Sequence, residues 1–294
     1  MSSHQLTAIV FFGTGPVAAA SLEQLAHDFT IEAVVTKPSP HHYHGVTPVL
    51  TLAENNHWPV FTPSTTAELE QLCGHSHWHS LCAVVVDYGI LLNQTIIQAF
   101  PRGAINSHFS LLPQWRGADP ITFAILSGQK TTGVSIMLIE ETLDTGQLLA
   151  QQEFTISQQC TAPQLTTALT TISTTLLKKI IPRYLAGTIQ PYPQPINSAV
   201  SYSRKLTKAD GLMDWHKPAE VIEREVRAFM GWPKSYGVVH HKNIIVTKAR
   251  VVSQPTAASL TIQCQPGWLE IIELIGPSGK TMSGADFLRG LRYT

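Results

Sequence analysis

Two polar residues, Asn106 and His108, stand two residues apart in an otherwise strand-like run, "AINSHFSLLP" (104–113). Side chains alternate across a strand, so an extended 104–108 puts the amide and the imidazole on one face, where the chain leaves the sheet. In open α/β sheets, ligands bind at such carboxyl ends. The next apolar run, "GVSIMLI" (133–139), passes into "EETLDTG" (140–146), and its end is expected to deliver Asp144 to the same rim. An amide, an imidazole and a carboxylate in one crevice suit acyl transfer. The amide can stabilise a developing oxyanion, the imidazole can move protons or donate to the same oxygen, and the carboxylate can orient the imidazole. Taken singly, each residue also fits turn or core chemistry; the three on neighbouring strand ends point to a site. There is no GxSxG, and the surroundings of Ser110 do not read as a nucleophile elbow. Direct transfer without an acyl-enzyme is therefore the expected route.

Other spacings compete less well. Gly13-x-Gly15-x-x-Ala18 follows an apolar run and has the form of a dinucleotide fingerprint. Such a site wants an acidic residue after the second strand to hold a ribose. Thr36 and Lys37 occupy that place, and Pro16 stiffens the turn, so a tight strand-to-helix turn is the simpler reading. His75, His77 and His79 alternate between Cys73 and Cys82 and would line one face of a strand as a zinc site. The segment bridges a helix-like and a strand-like run, however, where a surface turn is expected and no metal. The histidines of "HHYH" (41–44) have no second cluster of ligands nearby in sequence.

The elements that must position these residues follow from the hydrophobic pattern. Apolar runs at 7–12, 31–36, 82–87, 103–108 and 133–139 alternate with helical stretches at 16–29 and 119–127. Buried strands separated by helical lengths read as a parallel sheet with crossover helices. A Thr-rich helix is expected over 161–187. At 188–203, "TIQPYPQPINSAVSYS" places three prolines in five residues and reads as an extended linker. A short helix at 218–229 and several brief β-runs then suggest a small barrel or sandwich. The division is thus 1–187, a linker at 188–203, and 204–294.

Composition narrows the class. With 44% hydrophobic and 14% charged residues the chain is globular, not disordered. It holds no apolar run long enough to span a membrane. "MSSHQLTAIVFFGTG" reads as a first strand, not a signal peptide, and the four scattered cysteines suit a reducing compartment, so a cytoplasmic protein is expected; separately, a monomer is expected. The net charge of zero hides an asymmetry: from Lys205 onward 12 Lys+Arg face 8 Asp+Glu, a balance of +4, against −4 before it. A basic C-terminal part suits an anionic partner.

"INSHFSLLPQWRGADPI" and "TGVSIMLIEETLDTG", with their N-x-H, S-L-L-P and L-D-x-G elements, resemble the folate-dependent formyltransferases. "SRKLTKADGLMDWHKPAEVIEREVRAFMGWPKSYGVV" (203–239) and "GKTMSGADFLRG" (279–290) are similar to the second domain of those members that act on methionyl-tRNA. The resemblance implies a Rossmann-like domain with a mostly parallel sheet and a small OB-like β-barrel. It implies transfer of a formyl group from 10-formyltetrahydrofolate to the α-amine of initiator methionyl-tRNA, with the acceptor arm bound and no metal involved. By the same resemblance Asn106 and His108 stabilise the tetrahedral oxyanion, while Asp144 sets the histidine's protonation and assists proton movement to the leaving folate nitrogen. Ser110, Leu111, Leu112 and Pro113 would line the folate site. Asp87, Tyr88, Gly89, Ile90 and Leu91 would contact the pterin together with Glu140 and Glu141 of the Asp144 loop. One departure stands out: the loop "TKPSPHHYHGVTP" (36–48) is short and carries histidines where the family has lysines and arginines. That keeps open an alternative, a sugar N-formyltransferase acting on a nucleotide-linked amino sugar.

Overall fold

The run Ile9–Phe12 is fully buried because it lies at the centre of a sheet covered on both faces. The computed structural model describes residues 7–39, 47–196, 199–256 and 258–291. In chain order the first elements are β1 (Ala8–Gly13), α1 (Pro16–Leu25), β2 (Thr30–Val35), α2 (Pro48–Asn55), β3 (Val60–Phe61), α3 (Thr66–His75), β4 (Ala83–Val86), α4 (Gln94–Gln98) and β5 (Ala104–His108). There follow β6 (Arg116–Gly117), α5 (Pro120–Leu126), β7 (Thr131–Leu138), β8 (Leu148–Thr155), α6 (Ala162–Leu185) and β9 (Tyr202–Ser203). The C-terminal part holds a 3-10 turn (Lys208–Gly211), α7 (Ala219–Ala228), β10 (Ser235–Val239), β11 (Lys242–Val252), β12 (Thr261–Gln263), β13 (Trp268–Ile275), β14 (Thr281–Ser283) and α8 (Gly284–Leu291). The chain divides into two units: Met1–Gly117 with Thr132–Phe154 and Thr167–Tyr202, and Ala118–Thr131 with Thr155–Thr166 and Ser203–Thr294.

The first unit is built on a sheet of order β3-β2-β1-β4-β5-β7-β8. From β3 to β5 every pairing is parallel, with Val85 of β4 opposite Asn106 of β5. The sheet is thus mostly parallel, as the alternating runs predict, but β7 is not. It pairs with β5 antiparallel, Ile105 opposite Leu138 and His108 opposite Ser135. The end of β7 therefore lies beside the start of β5, not beside His108. An unbroken apolar run reads the same in either direction, and only the connection through residues 109–130 sets it.

Interlocked rings fill the space under β1 and β4. Phe12 meets Tyr88 and Phe100 edge-on at 5.4 and 6.1 Å, and Trp78 stacks on Phe100. The threonines of α6 are accommodated by bonding back to carbonyls one turn earlier, as in Thr174 Oγ1 to Thr170 O at 2.6 Å. All four cysteines are buried and unpaired. Burial pushes the Cys73 thiol up to about 11 and that of Cys82 up to about 12. The thiolate is the reactive form, so native protein at neutral pH is expected to resist a thiol reagent that labels all four cysteines once denaturant is added. Rapid labelling of any of them in the native state would show an opening that this packing does not provide.

The second unit contains an antiparallel sheet of order β10-β11-β13-β12, with β14 paired to β13. Register shifts in β11 around Lys248 bend that long strand, which curls the sheet over a core of Ile222 and Val226 from α7, Val246, Leu269, Ile271, Leu274 and Phe287 from α8. This is the small, barrel-like antiparallel fold expected of the C-terminal part. No helix among the described residues is long and apolar enough to cross a membrane.

Candidate active site

The turn after β1 is tied to the turn after β4. Thr14 N donates to Asp87 O at 3.1 Å and Thr14 Oγ1 to Tyr88 O at 3.1 Å. A Cβ on Gly13 would meet Ala18 Cβ at 2.5 Å and Val86 O at 2.8 Å, and one on Gly15 would meet Asp87 Oδ2 at 2.7 Å. Close packing of β1 against α1 and β4 thus accounts for Gly13 of the apparent dinucleotide fingerprint, whereas at Gly15 only the end of the exposed Asp87 side chain would have to move. The Lys37 ammonium sits over Gly89, 2.8 Å from where a Cβ there would be. Sequence reasoning left Lys37 in the His-rich loop and did not connect it to the 87–91 turn.

At β5 the strand alternation sorts the side chains. Ser107 faces α6, its hydroxyl 2.6 Å from that of Ser173. Asn106 and His108 share the other face. Asn106 is half-buried, and its side-chain amide makes no hydrogen bond among the described residues, so it remains available to a ligand. His108 is buried; its Nε2 lies 2.8 Å from Trp115 O. A carbonyl only accepts, so Nε2 carries the hydrogen in that bond. Nδ1 lies 3.7 Å from Asp144 Oδ2, with both side chains nearly enclosed.

Asp144 reaches His108 by a different route from the one its position in sequence suggests. Because β7 is antiparallel to β5, the strand end does not carry it there; the 139–147 loop does, by folding back. Asp144 adopts the left-handed conformation (φ 52°), which an aspartate tolerates, and its Oδ2 accepts from Gly117 N at 2.6 Å. Gln194 Nε2 donates to Asp144 O at 2.8 Å and to Gly146 O at 3.0 Å.

The S-L-L-P segment is held by a buried polar knot. Ser135 Oγ donates to Ser110 O at 2.6 Å and accepts from Leu112 N at 3.0 Å, and Gln151 Nε2 donates to Leu112 O at 2.9 Å. Ser110 spends its own hydroxyl on Gln114 O at 2.5 Å. Ser110, Leu112 and Pro113 are buried, as is Tyr88, so what they offer a ligand is a fixed wall and not their polar groups. Asp87, Gly89, Leu91, Glu140 and Glu141 are exposed, and Leu111 and Ile90 are partly so.

The three alternating histidines do not form a strand. His75 ends α3 and turns to Gln71 O at 2.7 Å, while His79 N and Nδ1 approach Glu32 Oε1 at 2.8 and 3.1 Å. The "HHYH" stretch lies outside the described residues. Among those that are described, no three His, Cys, Asp or Glu residues gather as a metal site.

A mostly parallel open sheet with an amide and an imidazole at the end of an inner strand and a carboxylate brought to them by a loop, followed by a small antiparallel unit, matches a known class. The family model described as formyl transferase matches residues 7–181, and that described as formyl transferase, C-terminal domain, matches residues 205–292. The chain belongs to the formyl transferase family. The methionyl-tRNA formyltransferase of Magnetococcus marinus is 34% identical over 96% of this chain and 95% of its own. That of Roseiflexus castenholzii is 33% identical over 97% and 96%. Among solved structures, an N-formyltransferase from Helicobacter canadensis in complex with folinic acid and dTDP-3-aminofucose shares the fold. Its TM-score is 0.69 at 20% identity, over 90% of this chain and 98% of its own.

Proposed function

We propose that this protein transfers the formyl group of 10-formyltetrahydrofolate to the α-amine of initiator methionyl-tRNA. The observation that carries this reading is similarity over nearly the whole chain to methionyl-tRNA formyltransferases, both domains included. The neutral amine attacks the formyl carbon, a tetrahedral oxyanion forms, the bond from carbon to folate N10 breaks, and the amine's surplus proton ends on N10. Asn106 donates its free amide to the oxyanion. His108 Nε2–H is engaged with Trp115 O, so it serves the oxyanion by exchanging that carbonyl for the developing charge, which is the stronger acceptor. Asp144, 3.7 Å from Nδ1, sets its negative charge beside the ring while this happens. The S-L-L-P wall and the exposed edge of the 87–91 turn shape the folate site, with Glu140 and Glu141 on the opposing loop.

The acceptor is addressed by the second part of the chain. Its balance of +4 from Lys205 onward suits a phosphate backbone. The test supplies 10-formyltetrahydrofolate with either charged initiator tRNA or nucleotide-linked amino sugars. Formylated Met-tRNA is expected, with no sugar product. Turnover of an amino sugar alongside none of Met-tRNA would replace this reading with the sugar alternative.

A further inference from the structure

We infer that Gln194 is a positioning residue for the reaction: it acts through Asp144, and the proline-rich stretch around it is a strap that holds the catalytic loops. The inference rests on the reading of Asp144 given above. Gln194 stands in "PYPQP", which by composition is a linker. The structure gives the stretch other work. Tyr192 exchanges backbone hydrogen bonds with Leu148 at 2.7 and 2.9 Å, at the foot of the Asp144 loop. Ser201 accepts from Arg116 N through its carbonyl, and from Trp115 N through its hydroxyl, both at 2.9 Å.

Between these ties, the Gln194 side chain uses both ends of its amide. Its Oε1 accepts from Arg116 Nη2 at 2.7 Å, and its Nε2 donates to Asp144 O and Gly146 O. Residues 115–117 meanwhile hold the catalytic pair directly: Trp115 O takes His108 Nε2–H, and Gly117 N donates to Asp144 Oδ2. One short strip thus touches His108, Asp144 and Gln194. The guanidinium polarises the amide it donates to, which strengthens that amide's own N–H bonds to the Asp144 loop. Only a glutamine meets the need. Glutamate keeps the acceptor for Arg116 but has nothing to donate to two carbonyls, and asparagine is a methylene short.

That difference makes the role testable. Gln194→Glu should retain, or improve, the pairing with Arg116 while setting a carboxylate against two carbonyl oxygens. If Gln194 only braces the strap, this variant keeps wild-type activity. If it positions Asp144, kcat for Met-tRNA formylation falls by up to about 10²-fold in Gln194→Glu and Gln194→Ala alike, with both KM values nearly unchanged, because misplacing a catalytic group by about 1 Å has that cost. The effect should vanish when Asp144→Asn is already present, since there is then no carboxylate to position. Wild-type kcat in Gln194→Glu, or a loss that persists at full size over Asp144→Asn, overturns the inference. Full activity of Asp144→Asn by itself would instead remove the reading of Asp144, and this inference with it. Thermal unfolding of each variant, run in parallel, separates a loss of kcat from a loss of folded protein.

Discussion

Replacing His108 with alanine is expected to lower kcat for formyl transfer by about 10²–10⁴-fold, which is about 3–5 kcal/mol of transition-state stabilisation. The size follows from how the ring is held. His108 is buried at the end of β5, with one nitrogen on Trp115 O and the other facing Asp144. Such a ring loses little orientational freedom when it turns its N–H to the oxyanion, so it acts mainly in the transition state and its removal shows in kcat more than in KM. The variant also removes the buried bond from His108 Nε2–H to the Trp115 carbonyl, which costs stability by about 1–3 kcal/mol. Single-turnover rates measured well below the unfolding temperature isolate the chemical effect. A His108→Ala enzyme that formylates Met-tRNA at a near-normal rate would remove the imidazole from the mechanism.

Much of this site is legible in the sequence because its key spacing is local. Two residues on one face of a strand are fixed by the pleat, whatever the rest of the fold does. Asp144 is a harder case. Its nearness to His108 could be expected, but the expected route required β7 to run parallel to β5. Strand direction is a non-local property, and the antiparallel pairing of Asn106 with Met137 shows that a loop, not a strand end, carries the carboxylate. Ser110 shows the opposite difficulty. It sits in a motif that suggests ligand contact, yet its hydroxyl turns inward to Gln114 O, and the polar knot around Ser135 and Gln151 joins positions that no sequence period relates. Gln194 had a faint local signal, a lone amide between prolines in a stiff extended stretch. Its partners lie 48 to 78 residues away.

The glycine of the L-D-x-G element is the sharpest test of how tightly that loop is held, and Gly146→Ala is expected to cost about 10²-fold in kcat. Gly146 is not among the glycines with positive φ, so alanine is not barred by backbone conformation. Space bars it. A Cβ there would lie 1.8 Å from Leu138 O and 3.0 Å from Leu138 C, both backbone atoms of β7. Neither can retreat without disturbing the bond from Leu138 N to Gln147 O, 2.9 Å long, that closes the neck between β7 and β8. The 139–147 loop must give way instead. Glu140, Glu141 and Leu143 are exposed, so little packing resists the movement and the overall loss of stability should stay near the 1–3 kcal/mol typical of overpacking. Asp144 moves with the loop, away from Gly117 N and His108 Nδ1, and Gly146 O leaves Gln194. The variant should therefore resemble Asp144→Asn in kcat while folding nearly as well as the wild type, and the double variant should be little worse than either alone. If Gly146→Ala keeps a wild-type kcat, the loop has slack that these distances deny, and the Asp144 carboxylate does not need the position in which it is found.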